Sequence, residues 1–201
     1  MDFIMTEAEL EALYGAPVEM AMRKVTTHLT PAYRKWILAS RFCVLTTVGD
    51  EGTDGSPRGD DGPVVMEIDS QTLALPDWRG NQRLDSLRNI VRDPRVSLMF
   101  MVPGSANVMR VNGEARLTTD DALCAKFEKS GKQPRTVIVI RIHEVYPQCA
   151  RAIVRAKIWT SGDESTDLPT IGAMMKEITS GAFDGDAYDK EWPDRAKSTM
   201  W

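Results

Sequence analysis

The sequence predicts a mainly β protein, a small antiparallel barrel with peripheral α-helices, and three observations carry that prediction. Runs rich in β-branched and apolar residues recur through the middle of the chain, at Phe42–Val48, Val64–Ile68, Thr72–Leu75, Arg95–Val102, Asn107–Leu117 and Thr136–Tyr146. Turn residues separate them. Segments with helical periodicity are confined to the two ends and to a few connections. Finally, 201 residues of which 42% are hydrophobic suffice for one substantial core, so one domain with terminal extensions is expected.

The elements follow in order. Thr6-Glu7-Ala8-Glu9 is a capping box, in which the Thr6 hydroxyl accepts from the Glu9 N–H and the Glu9 carboxylate reaches back, so a short helix runs to about Tyr14. Pro17 breaks it, and Val18 to His28 can form a second. Thr30-Pro31 starts another helix, with threonine as N-cap and proline at the first position, and puts Tyr33, Trp36 and Ile37 on one face. Phe42–Val48 is the first strand, closed by Gly49-Asp50-Glu51-Gly52. Val64–Ile68 and Thr72–Leu75 are the next, joined by Asp69-Ser70-Gln71. A helix from Gly80 to about Arg92 gathers Leu84, Leu87, Ile90 and Val91 on one side.

Arg95–Val102 is apolar after its start and predicts a strand buried on both sides, ended by Pro103-Gly104. Asn107–Leu117 alternates, with Met109, Val111, Gly113, Ala115 and Leu117 on one face. Thr119 to Ser130 reads as a helix with Gly131 as its C-cap. Thr136–Tyr146 is a long strand whose first half is apolar on both faces. A partner subunit would supply the missing cover. Cys149–Lys157 reads as a helix that delivers Trp159. The tail begins a helix at Leu168-Pro169 with an apolar Ile171/Met174/Met175/Ile178 pattern, then dissolves into Gly, Asp and Lys.

Composition excludes several functions. A net charge of −4 and a pI near 5.3 argue against a nucleic-acid surface, which is built on clustered Lys and Arg. Cys43, Cys124 and Cys149 lie far apart with no C-x-x-C pair, so neither a zinc site nor a disulfide framework is expected, and a reducing cytoplasm fits. No apolar run approaches the ~20 residues that span a bilayer. No Ser-His-Asp, His-Glu-x-x-His or paired-carboxylate arrangement emerges, and catalytic residues stay unassigned.

The chemistry-bearing stretch is Asp54 to Phe100. Two polar loops with arginines, Asp54-Gly55-Ser56-Pro57-Arg58-Gly59-Asp60 and Asp77-Trp78-Arg79-Gly80-Asn81-Gln82-Arg83, each lie beside an apolar strand, and the second opens into a helix. A helix start offers unpaired N–H groups and partial positive charge, Gly80 allows close approach, Asn81 donates an amide hydrogen bond and Arg83 brings a planar fork. Arg58 can close this phosphate cradle from the neighbouring strand. Arg79 can stand in for Arg83, and Asp85 competes with an anion for the helix end.

The order Ser-Pro-Arg-Gly-Asp, Leu-Pro-Asp-x-x-Gly-Asn-x-Arg and Asp93-Pro94-Arg95-Val96-Ser97-Leu98-Met99-Phe100, followed by Pro103-Gly104, Arg110-Val111-Asn112-Gly113-Glu114-Ala115, Cys149-Ala150-Arg151-Ala152 and Ile158-Trp159, resembles the pyridoxamine 5'-phosphate oxidase-like family. That resemblance covers roughly residues 30 to 160. It implies an FMN-binding Greek-key split barrel over 30–160, an N-terminal helical extension over 1–29 and a C-terminal extension over 161–201. It further implies a homodimer with FMN at the subunit interface, and an oxidoreductase that moves hydride through flavin N5 on a small-molecule substrate.

By the same resemblance Ser56, Arg58, Gly59 and Asp60 lie beside FMN, Leu75, Pro76 and Asp77 lie near its ring, and Asn81 and Arg83 serve its phosphate. Arg155 and Trp159 resemble positions that cross the interface to a neighbour's flavin; Trp159 reads equally as a tryptophan simply buried there. Arg110 faces either the ligand or solvent. Gly80-Asn81-Gln82-Arg83 stands where the oxidase itself has a Ser-Arg-Lys cluster, which points to a relative with another substrate. The alternative is a non-catalytic module holding haem or another ligand on the same barrel; for haem only His28 and His143 offer imidazoles.

Overall fold

A computed structural model describes residues 1–201. Seven strands, β1 (Phe42–Gly49), β2 (Gly52–Gly59), β3 (Met66–Asp69), β4 (Thr72–Asp77), β5 (Arg95–Met101), β6 (Val108–Thr118) and β7 (Thr136–Gln148), form one antiparallel sheet in the order β2-β1-β5-β6-β7-β4-β3. Side chains alternate across a strand, so one face of each can be apolar. Cys43 and Leu45 of β1, Val96, Leu98 and Phe100 of β5, Met109, Val111 and Ala115 of β6, and Ile138, Ile140 and Ile142 of β7 share one buried core with Leu73 and Leu75 of β4. The sheet curls around that core as the expected split barrel.

Eight helices lie outside it: α1 (Glu7–Tyr14), α2 (Glu19–Arg23), α3 (Pro31–Ile37), α4 (Asp85–Arg92), α5 (Asp121–Ala125), α6 (Arg151–Arg155), α7 (Ile171–Ile178) and α8 (Gly185–Thr199). The capping box at Thr6 and Glu9 is present, as is the Thr30 cap, whose hydroxyl accepts from Tyr33 N–H at 3.2 Å. α3 and α4 send Ile37, Leu87 and Ile90 into the core. No helix is long and apolar enough to cross a membrane.

Six expectations are corrected. The stretch Asp54–Asp60 is mostly strand: Ser56, Pro57, Arg58 and Gly59 pair with Leu45, Val44, Cys43 and Phe42. Proline and glycine are tolerated because β2 is the edge of the sheet. The helix expected from Gly80 begins only at Asp85, because Gln82 and Leu84 adopt left-handed φ values of 63° and 61°. β5 alternates between buried and partly exposed positions, with Met99 at 38% exposure, so it is not buried on both faces. The long helix over Thr119–Ser130 contracts to five residues.

That short helix overturns the argument for a partner beside β7. Val137 and Val139 pack with Leu123, Cys124 and Phe127 from α5 and the turn after it, so this chain covers its own doubly apolar strand. Lastly, the tail does not dissolve. Asp184 caps Ala187 N–H at 3.0 Å and starts the 15-residue α8.

Burial also fixes the thiols. Cys43 and Cys124 are buried and Cys149 is exposed. Removal from water pushes the Cys43 thiol up to about 12 despite the nearby Arg58 charge, and burial also raises Cys124. A thiolate-seeking reagent at mildly alkaline pH should therefore label Cys149 in the native protein and reach Cys43 and Cys124 only after denaturation, as mass spectrometry of the labelled peptides would read. Native labelling of Cys43 would contradict this packing.

Candidate functional site

β2 and β4 lie far apart in the sheet order, yet Arg58 Nη1 of β2 lies 2.6 Å from Asp77 Oδ1 of β4. The curl of the sheet brings them together. Over this junction opens a cleft of about 1560 Å³, bounded by β2, the end of β4, the loop from Trp78 to Leu84, the start of α4, the loop before β7 and the last two residues. Nine of the residues singled out in the sequence line it: Ser56, Arg58, Gly59, Asp60, Leu75, Pro76, Asp77, Asn81 and Arg83.

Arg58 and Asp77 are mostly buried, with side chains 16% and 18% exposed. The pair fixes one end of the guanidinium. Its Nε is buried and has no hydrogen-bond partner. A buried guanidinium N–H without an acceptor is costly, and a small shift of the Arg58 side chain would let a ligand oxygen in the cleft satisfy it.

Asp60 organises the opposite side. It accepts from Trp78 Nε1 at 3.1 Å and pairs with Lys129, which also pairs with Asp61. Partial burial works against the Lys129 charge, but the two carboxylates outweigh it and raise its pKa. These contacts anchor Trp78 rather than leaving Asp60 free.

The loop after β4 is less settled toward an anion than its sequence implies. Asn81 Oδ1 accepts from Arg83 N–H at 3.1 Å, and Arg83 Nε lies 2.9 Å from Asp85 Oδ2 with its side chain 75% exposed. Asp85 already supplies negative charge to the α4 start. Ser86 Oγ donates to Asp54 Oδ2 at 2.6 Å, tying that helix to β2. Left-handed φ at Gln82 and Leu84 stores local strain in the loop beside the cleft.

Three predicted residues lie elsewhere. Arg110 sits over the Tyr146 ring at 5.4 Å and donates to Gln148 at 3.4 Å, on the outer face of β6 and β7. Arg155 is exposed on α6, and Trp159 donates from Nε1 to Ser105 O at 2.7 Å, on the β5–β6 turn. None lines this chain's cleft. His28 and His143 do not line it either.

Sequence reading missed Lys132, Arg135, Met200 and Trp201 at the rim. Arg79 and Arg135 have no Asp or Glu carboxylate within ion-pair distance, so the cleft holds cations not already neutralised, whereas Lys132 is engaged by the main-chain oxygens of Trp201 and Ser198. The Gly131-Lys132-Gln133-Pro134-Arg135 turn was a detectable signal. The long-range placement of Trp201 was not.

Comparison with known proteins adds a family. The family model for pyridoxamine 5'-phosphate oxidase matches residues 29–149. No curated protein matches the sequence. Among solved structures, HupZ of Group A Streptococcus aligns at 17% identity and a TM-score of 0.48, over 58% of this chain and 91% of that one. General Stress Protein 26 of Bacillus anthracis aligns at 18% and 0.44, over 57% and 88%. A Clostridium acetobutylicum protein of the pyridoxinephosphate oxidase family, related to general stress protein 26, aligns at 11% and 0.46, over 58% and 85%.

Proposed function

The chain belongs to the pyridoxamine 5'-phosphate oxidase family, and from that premise we propose that it is an FMN-binding oxidoreductase whose flavin occupies the cleft between β2 and β4. The observation that carries this reading is Arg58: a buried guanidinium at the cleft, anchored by Asp77 and left with an unsatisfied Nε. That arrangement suits an anionic oxygen better than water alone, because charge-assisted hydrogen bonds are the stronger ones.

The donor set fits the whole group. Arg58, with Arg79, Arg83, Lys132 and Arg135 around the rim, would hold the phosphate, and Asn81 would orient the loop. Leu75 and Pro76, both buried, would back the cleft wall behind the ring with apolar packing, while Ser56 and Gly59 leave the β2 main chain accessible. Bound FMN would supply hydride chemistry at N5 of its ring, which explains why no separate nucleophile or acid–base pair is needed. Asp77 holds Arg58 in place and Asp60 holds Trp78; both are positioning roles.

The reading includes a homodimer. Phe42 and Met99 expose apolar surface on the outward face of β1 and β5, at 36% and 38%, and Val154, Ile158 and Trp159 add more beyond β7. A second copy laid on this face would bury it, and would bring Arg110, Arg155 and Trp159 toward a neighbour's cleft.

Purified protein titrated with FMN tests the reading. The expected result is a saturable shift of the flavin absorption bands, and bleaching of the bound flavin when NADH or NADPH is added without oxygen. If FMN leaves both its spectrum and its fluorescence unchanged in the presence of protein, the assignment is wrong.

A further inference from the structure

The tail returns to the cleft. α8 ends at Thr199, and the two residues after it, Met200 and Trp201, form part of the cleft wall. The Trp201 indole meets Trp78 edge-on, with ring centroids 5.0 Å apart and planes at 72°. Lys129 Nζ lies 4.4 Å from the Trp201 ring centroid while Asp60 and Asp61 pair with that lysine. Lys132 Nζ donates to the main-chain oxygens of Trp201 at 2.9 Å and Ser198 at 3.4 Å.

Behind this contact the tail is anchored. A Cβ on Gly172 of α7 would lie 2.2 Å from Gly185 O of α8, and one on Gly185 would lie 2.2 Å from Gly172 O. Asp189 of α8 accepts from Gly172 N–H at 2.9 Å and from the Thr170 hydroxyl. The two helices therefore touch through their backbones, which sets where α8 can deliver its end. Neither Trp78 nor Trp201 belongs to a core cluster. Two large aromatic rings that do not serve the core stand at the cleft, next to Leu75 and Pro76.

We propose that Trp201 is a ligand-contacting residue, a tethered aromatic wall that covers the planar heteroaromatic ring of the molecule whose phosphate end lies at Arg58. The proposal rests on the FMN reading and adds to it which part of the ligand the tail touches. Indole is a large, flat, amphipathic surface, and aromatic pairs gain more than their buried area alone. Edge-on packing against Trp78 and the Lys129 cation preset the indole before a ligand arrives, so little rotamer entropy remains to be lost.

Ring contacts and phosphate contacts are separable by comparing FMN with riboflavin, which lacks the phosphate. Fluorescence titrations of the full chain with each flavin make the test. Trp201→Ala should weaken FMN and riboflavin by the same factor, about tenfold, as expected for one lost aromatic contact. Bound flavin should also fluoresce more brightly once the indole that quenches it is gone. Trp201→Phe should recover most of the affinity. Trp192→Ala is the control: Trp192 is on α8, the helix that leads to Trp201, but stacks on Tyr188 at 6.2 Å and does not line the cleft.

Wild-type protein that binds FMN, with a Trp201→Ala variant matching it in affinity and flavin fluorescence, would overturn the wall while leaving the FMN reading intact. Tighter binding by Trp201→Ala would also overturn it, since the indole would then be a plug. Failure of wild-type protein and Trp201→Ala alike to bind either flavin would remove the FMN reading itself, and the wall's ligand with it.

Discussion

Arg58→Ala should lower FMN affinity about 10- to 150-fold and leave riboflavin affinity unchanged, because one charge-assisted contact to phosphate carries about 1.5–3 kcal/mol. The size of the effect follows from burial. Arg58 is only 16% exposed, so the dielectric around it is lower than at a surface arginine such as Arg83, whose side chain is 75% exposed and already faces Asp85. Arg83→Ala should accordingly cost much less than Arg58→Ala.

A complication is that Arg58→Ala strands the Asp77 carboxylate, which is 18% exposed and has no other ion-pair partner. An unpaired carboxylate beside the cleft both destabilises the fold and repels phosphate. The double variant Arg58→Ala/Asp77→Asn removes that charge. It should regain stability in urea unfolding without regaining FMN affinity. Undiminished FMN binding in both variants would sink the phosphate assignment. An equal loss of riboflavin binding would mean that the cleft itself had been damaged.

How much of this was legible in the chain depends on whether the deciding interaction is local. The Thr6–Glu9 capping box and the Thr30 cap involve residues three apart, and both formed as expected. The alternation of β6 is likewise local, and Met109, Val111, Gly113 and Ala115 are buried in turn. By contrast β2 was hidden by its glycines and Pro57. Its strand character comes from pairing with β1, and only its edge position makes that composition tolerable. Propensity is overridden there by tertiary context.

The cleft divides in the same way. Arg58, Asp77, Asn81 and Arg83 could be found because strand and loop motifs place them close in sequence. Lys129, Lys132 and Trp201 join them only through the path of the chain after β6, and the sequence of the tail, with Gly185 and Pro193 inside α8, masks a helix that is anchored by backbone contact with α7. The doubly apolar stretch at Val137 and Val139 signals a need for cover but not whether this chain or a partner supplies it. Five residues of α5 and the turn after them suffice.

The second large effect is at Gly113, and it turns a feature of the motif into a test of the fold. β6 and β7 slip register there: Asn112 pairs with Glu144 but Gly113 pairs with Ile142, so His143 is an extra residue on β7. Such a bulge bends its strand and re-aims the backbone. Here it carries the Arg141 carbonyl toward Gly113, where a Cβ would meet Arg141 O at 1.9 Å and Arg141 C at 3.0 Å. The obstacle is backbone in the most extensively paired strands of the barrel, not the end of a flexible side chain. Gly113→Ala must therefore open the β6–β7 ladder or remove the bulge. Removing the bulge would turn one side of β7 over and take either Ile140 and Ile142 or Val145 off the core face. A loss of about 3 kcal/mol in unfolding free energy is expected, the upper part of the range for overpacking. Gly80→Ala is the matched control in the cleft loop, since nothing lies within 4 Å of a Cβ there, and it should change stability by less than about 0.5 kcal/mol. Urea denaturation of the two variants reads both numbers. Equal midpoints would mean that the bulge yields without cost, and that the close approach of Arg141 does not explain the glycine.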